Sequence, residues 1–113
     1  MSQYASFSDQ QINEIVKQIV GSVHPEEIFL FGSVAHQKTH SDSDIDLLVV
    51  ESQDFGQQRS RRKELRKIWD ALRAFTVPID ILLYSKSEKE LYKKNASHVL
   101  SEALRTGKKV YER

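Results

Sequence analysis

Two hydrophobic periods alternate along the chain. Ile12, Ile15, Val16, Ile19, Val20 and Val23 recur at three- and four-residue spacing, which predicts an amphipathic helix with one apolar face. Ser8, with Gln11 three residues on, gives the capping-box pattern that opens it, and Gly21 and Pro25 close it. Residues 27–31 read as a short buried strand ending at Gly32, and residues 44–50 as a second strand. Residues 57–75 predict a long helix with Leu65, Ile68, Trp69, Leu72 and Phe75 on its buried stripe. A third strand is expected over 77–84, with Pro78 at its start, where a missing N–H is tolerated. Ser87 is expected to cap a third helix that carries Leu91, His98, Val99 and Ala103 and ends at Gly107. Residues 109–111 read as a short last strand on the sheet edge.

This order, with a short helical turn expected after Gly32, predicts an α/β (α+β) fold: a small mixed β-sheet with helices packed on it. No repeat, low-complexity tract or linker divides the 113 residues, so residues 1–113 are expected to form one domain. The absence of cysteine excludes a disulfide framework and a thiolate zinc site. The longest apolar stretch, Ile28-Phe29-Leu30-Phe31, is far too short for a membrane span, and Met1 to Phe7 lack the regions of a signal peptide. A cytoplasmic protein without a membrane role is expected.

Charge changes the picture. Residues 1–54 hold nine acids against Lys17 and Lys38, a net of −7; residues 55–113 hold seven acids against fifteen bases, a net of +8. An acidic locus and a basic surface therefore share one small domain. Crowded acids repel one another unless cations satisfy them.

Strand alternation turns Asp44, Asp46, Leu48 and Val50 to one face and Ile45, Leu47 and Val49 to the other. Two carboxylates thus project from the start of a strand, with stems roughly 7 Å apart, on a face that should be buried. That placement is costly without compensation, and hard oxygen donors favour Mg²⁺ or Mn²⁺. On the third strand Asp80, Leu82 and Tyr84 share a face. If that strand adjoins the second, Asp80 converges on Asp44 and Asp46. Three such carboxylates can hold two metals roughly 3.5–4 Å apart, as used for in-line phosphoryl transfer. Asp80 is also the candidate to take a proton from an attacking hydroxyl. Gly32 permits a tight turn and close backbone approach, and Ser33 opens a turn whose N–H groups and hydroxyl suit phosphate oxygens.

Phe31-Gly32-Ser33, ten residues, then Asp44-Ile45-Asp46 resembles the nucleotidyltransferases of the DNA polymerase β type, and among them the minimal nucleotidyltransferase (MNT) domain. The resemblance extends to Pro78-Ile79-Asp80-Ile81 and to the tail from Gly107 to Glu112. It implies a polymerase β-like fold in which Gly32 and Ser33 bind the phosphates of ATP, and Asp44, Asp46 and Asp80 hold two Mg²⁺ ions. One departure stands out: members often carry Ala-Arg-Gly after the Gly-Ser pair, where this chain has Ala35-His36-Gln37 and so lacks a fixed positive charge.

No acceptor-binding domain accompanies the pattern. MNT proteins of this size resemble the antitoxins of HEPN/MNT toxin–antitoxin modules, some of which transfer AMP from ATP to a tyrosine of the HEPN ribonuclease toxin. The resemblance thus implies a HEPN toxin as partner and a homo- or hetero-oligomer as a working form. Two rival readings stay open: an antitoxin that neutralises its partner by binding alone, and nucleotidyl transfer to a small molecule. Asp44→Asn with Asp46→Asn separates the first from catalysis.

Two other clusters carry weaker signals. His36, His40 and Asp42 read as loop residues rather than a zinc site. Arg59, Arg61, Arg62, Lys63, Arg66, Lys67 and Arg73 face only Glu64 and Asp70. They form either a solvated face or a docking surface for an acidic protein or an RNA-bound complex. No aromatic platform or known binding motif accompanies them, Trp69 and Phe75 being read as core, and direct nucleic-acid binding is not expected.

Overall fold

The computed structural model describes residues 9–32, 44–95 and 98–113. Its elements are α1 (Asp9–Ser22), β1 (Pro25–Phe31), β2 (Ile45–Glu51), α2 (Arg61–Ala71), β3 (Ile79–Ser85), α3 (Lys86–Tyr92), α4 (Val99–Thr106) and β4 (Lys108–Glu112). The strands form one sheet in the order β3-β2-β1-β4. β1 runs antiparallel to β2 and β4, whereas β2 and β3 are parallel, giving the mixed sheet that the sequence predicts.

Strand β2 is the hydrophobic axis. Its Ile45, Leu47 and Val49 pack with Ile12, Ile15 and Ile19 of α1 and with Ile68 of α2. Its Leu48 and Val50 pack on the other face with Phe29, Leu100 and Ala103. A strand covered on both faces needs a near-continuous apolar run, which Leu47 to Val50 supplies. Each fully buried Leu or Ile there contributes roughly 1.5–3 kcal/mol relative to exposure. Among the described residues no helix is long and apolar enough to cross a membrane.

Several boundaries and one burial assignment differ from the sequence expectation. β1 starts at Pro25, which pairs with Glu51; an irregularity before Glu27 absorbs the change of register. α2 starts at Arg61, not 57, because Gly56 and Arg59 exchange backbone hydrogen bonds of 2.8 and 3.3 Å, and Ser60 then accepts from the Lys63 N–H at 3.2 Å as the cap. Ser85, not Ser87, caps α3: its hydroxyl accepts from the Glu88 N–H while Glu88 reaches back to the Ser85 N–H. The expected third helix is two helices, since α3 ends at Tyr92 and His98 Nδ1 accepts from the Leu100 N–H at 3.0 Å to open α4. Finally, Trp69 is not on the buried stripe. Ile68 and Leu72 fill it, and Trp69 is 40% exposed.

Gly107 lets α4 turn directly into β4. A Cβ there would lie 2.5 Å from the Ala103 carbonyl oxygen and 2.9 Å from that of Leu30, so only glycine fits against β1.

Candidate active site

Antiparallel β1 ends where β2 begins, and parallel β3 begins beside it, so three strand termini meet at one edge of the sheet. A hydrogen bond of 2.9 Å from the Ile45 N–H to the Pro78 carbonyl closes the entry to the parallel pair. Across that edge Phe31, Asp46 and Asp80 stand abreast: Asp46 registers with Phe31 on one side and with Asp80 on the other. Neighbours in register share a face. Asp46 and Asp80 therefore project together, on the face whose apolar residues are Leu48, Val50 and Leu82.

Electrostatics report the same convergence. The Asp46 carboxyl is pushed up to about 6, first by burial, then by the charge of Asp80 and that of Asp44. Asp44 and Asp46 are half-buried, and Asp80 is exposed. The sheet thus holds a half-buried carboxylate with no cation paired to it among the described residues.

Gly32 completes the edge. Its φ of +77° is left-handed, a region that side chains disfavour. A methyl group there would overlap the Asp46 carboxylate, whose Cγ lies 3.3 Å from the position that Cβ would take. The carboxylate packs against a bare Cα, so Gly32 at the end of β1 lies directly against Asp46 of β2.

Of the residues singled out from the sequence, Gly32, Asp44, Asp46 and Asp80 come together at this edge. Ser8, Ser33, His36, Gln37, His40 and Asp42 lie outside the described residues. Among the described residues no three carboxylate or imidazole groups are already gathered closely enough to enclose a metal ion. The donor set nonetheless fits a hard divalent cation: three carboxylates, one of them destabilised as an anion by burial and by two like charges. A cation there would relieve both penalties.

Sequence reading missed Glu51, at the opposite end of β2. It is 1% exposed and pairs with Arg59, which also reaches Glu64 at 3.3 Å. Burial and a hydrogen bond with Glu64 push the Glu51 carboxyl up to about 7, against the opposing pull of Arg59. An acid directly after the run Leu48-Val49-Val50 was the available signal. A cavity of about 270 Å³ lined by Glu51, Arg59, Glu64 and His24 lies at this end, remote from the carboxylate edge. Its Glu51, Arg59 and Glu64 are committed to one another, which marks it as a structural joint between β2 and α2.

The sequence pattern of one family, the nucleotidyltransferase domain, matches residues 9–105. No curated protein matches the chain at a significant level. Among solved structures, a toxin–antitoxin complex with AMP-PNP matches at 24% identity and a TM-score of 0.57, over 89% of this chain and 73% of that one. A nucleotidyltransferase from Sulfolobus solfataricus, described as putative, matches at 19% identity and a TM-score of 0.60, over 90% and 78%. A third, a tri-AMPylated Shewanella oneidensis HEPN toxin in complex with MNT antitoxin, matches at 23% and 0.51, over 92% and 73%. At such identities these likenesses establish a shared fold.

Proposed function

The chain belongs to the nucleotidyltransferase domain family, and from that premise we propose that it is an Mg²⁺-dependent adenylyltransferase acting as the antitoxin of a HEPN ribonuclease toxin in the cytoplasm. The observation that carries the reading is the register of Asp46 with Asp80, beside a Gly32 that only a bare Cα lets approach. Support for the partner class comes from the fold neighbours, which include toxin–antitoxin complexes, one with AMP-PNP and one with an AMPylated HEPN toxin.

In this reading Gly32 and Ser33 hold the triphosphate of ATP at the end of β1, and Asp44, Asp46 and Asp80 hold the metal. Bound there, Mg²⁺ supplies neutralisation of the charge that develops on the phosphates. The tyrosine hydroxyl of the partner attacks the α-phosphorus, Asp80 accepts its proton, and a bond from tyrosine oxygen to phosphorus forms. The bond from the α-phosphorus to the bridging oxygen breaks, and pyrophosphate leaves. Asp80 suits the proton-accepting role because it is the exposed carboxylate of the three, open to a docked partner. In this reading the docked partner presents the acceptor and completes the site.

The test is incubation of ATP labelled at the α-phosphate with Mg²⁺ and a lysate of the native host. The expected result is one labelled protein with wild type and none with the Asp44→Asn, Asp46→Asn form. A partner captured equally by both forms, with no label transferred, would make the domain a binding module instead.

A further inference from the structure

The seven basic residues between 59 and 73 divide into two sets. Arg59 turns inward to Glu51 and Glu64 and lies 4.6 Å from the centre of the Phe55 ring. Arg61 donates to the Leu83 carbonyl at 2.7 Å and pairs with Glu88. Lys67 pairs with Glu64 at 3.2 Å and Arg73 with Asp70 at 2.8 Å. Arg62, Lys63 and Arg66 are exposed, and their side chains have no ion-pair or hydrogen-bond partner among the described residues.

Spacings of four and three residues align Arg62, Arg66 and Trp69 along one line of α2. Arg73 continues the line past the helix end with an 80%-exposed side chain. Arg62 and Arg66 stand roughly 6 Å apart along the axis. Trp69 has no role in the core, which Ile68 and Leu72 fill from the same helix. Along this line its neighbours are the guanidinium-bearing Arg66 and Arg73, with Asp70 beside it. A row of cations, of which Arg62 and Arg66 are unpaired among the described residues, beside one exposed indole suits a flexible polyanion with bases to stack.

We propose that this face of α2 binds single-stranded nucleic acid, with phosphates on Arg62, Lys63 and Arg66 and one base stacked on Trp69. The exposed indole supplies the aromatic platform that the sequence reading, with Trp69 assigned to the core, did not find. The surface does not include the carboxylate edge, and its binding does not depend on nucleotidyl transfer.

Trp69 is the only tryptophan of the chain, so its fluorescence reads the contact directly. A short oligouridylate should quench it at low salt, and binding should weaken with a log–log salt slope of about −2 for three phosphates on a single strand. Arg62→Ala with Arg66→Ala should flatten that slope by about 1.4. Trp69→Leu, followed by anisotropy of a labelled oligomer, should weaken binding about 5- to 150-fold. Circular dichroism melts matching wild type establish that these surface variants fold. Quenching by a polyglutamate peptide but not by the oligomer would overturn the proposal and make the face a protein dock. Duplex RNA binding as tightly as the single strand, or no quenching at all, would overturn it too.

Discussion

Asp46 and Asp80 lie side by side on parallel strands, one half-buried and the other exposed, and the charge of Asp80 adds to burial in raising the cost of ionising Asp46. Such a pair is a liability in an isolated fold and an asset once a cation arrives. The sheet tolerates it because β2 is anchored along the rest of its length by fully buried Leu47, Leu48, Val49 and Val50.

The liability is measurable. A carboxyl raised to about 6 in the folded state is ionised at neutral pH against the preference of its surroundings. Asp46→Asn removes that charge with the shape kept, and should stabilise the metal-free protein by about 1 kcal/mol, a rise of roughly 4 °C in Tm. Thermal melts in EDTA check this. Added Mg²⁺ should raise the wild-type Tm and leave that of the variant unmoved. A lower Tm for the variant in EDTA would show that the carboxylate has a stabilising partner instead.

Gly32 and Asp46 should couple energetically. Gly32→Ala places a methyl group in the Asp46 carboxylate and holds a side chain at φ +77°, so it should destabilise by at least about 1–2 kcal/mol. In an Asp46→Ala background the steric part disappears and only the backbone part remains. Urea unfolding of the four proteins gives the coupling directly. Strict additivity would mean that the turn moves away from the carboxylate.

At the far end of β2, Glu51 sets a pH dependence of stability. Its folded pKa of about 7 lies above the ordinary 4.5, so the native state binds a proton that the unfolded state has released. Stability from Glu51 is therefore greatest below about 4.5 and is lost as pH rises to about 7. Asp46 contributes with the same sign up to about 6. Against the opposing effect of burial, Glu27 is held low by Lys89 and Lys109, Glu64 by its hydrogen bond with Glu51 and then by Lys67 and Arg59, and Glu88 by Arg61, so they lose stability only as pH falls through the acid range. Between pH 6 and 7.5 the urea midpoint of wild type should fall while that of Glu51→Gln stays level. Parallel curves would place the shared proton on another group.

The carboxylate edge was legible in the sequence because strand alternation and a glycine after a strand are local signals. Asp44, Asp46 and Asp80 needed only the adjacency of β2 and β3, which the structure supplies. What was not legible depended on packing between distant segments. Trp69 fits the helical period of Leu65 and Leu72, yet Ile68 and Leu72 already fill the space above β2, and the indole is left outside. The break between α3 and α4 was hidden because its cap is a histidine nitrogen, not a hydroxyl or carboxylate. Arg59 reads as one more surface base until Glu51 is seen to be buried beneath it.

The central claim is that Asp46 and Asp80 serve one metal-dependent nucleotide site. Titration of Mn²⁺ into the protein with a non-hydrolysable ATP analogue, followed by electron paramagnetic resonance, tests it most directly. Two bound ions per chain are predicted for wild type, with metal-dependent nucleotide binding lost in Asp46→Asn and in Asp80→Asn alike. Undiminished Mn²⁺ and nucleotide binding in Asp80→Asn would contradict the account, because the carboxylate that stands beside Asp46 would then have no part in the site.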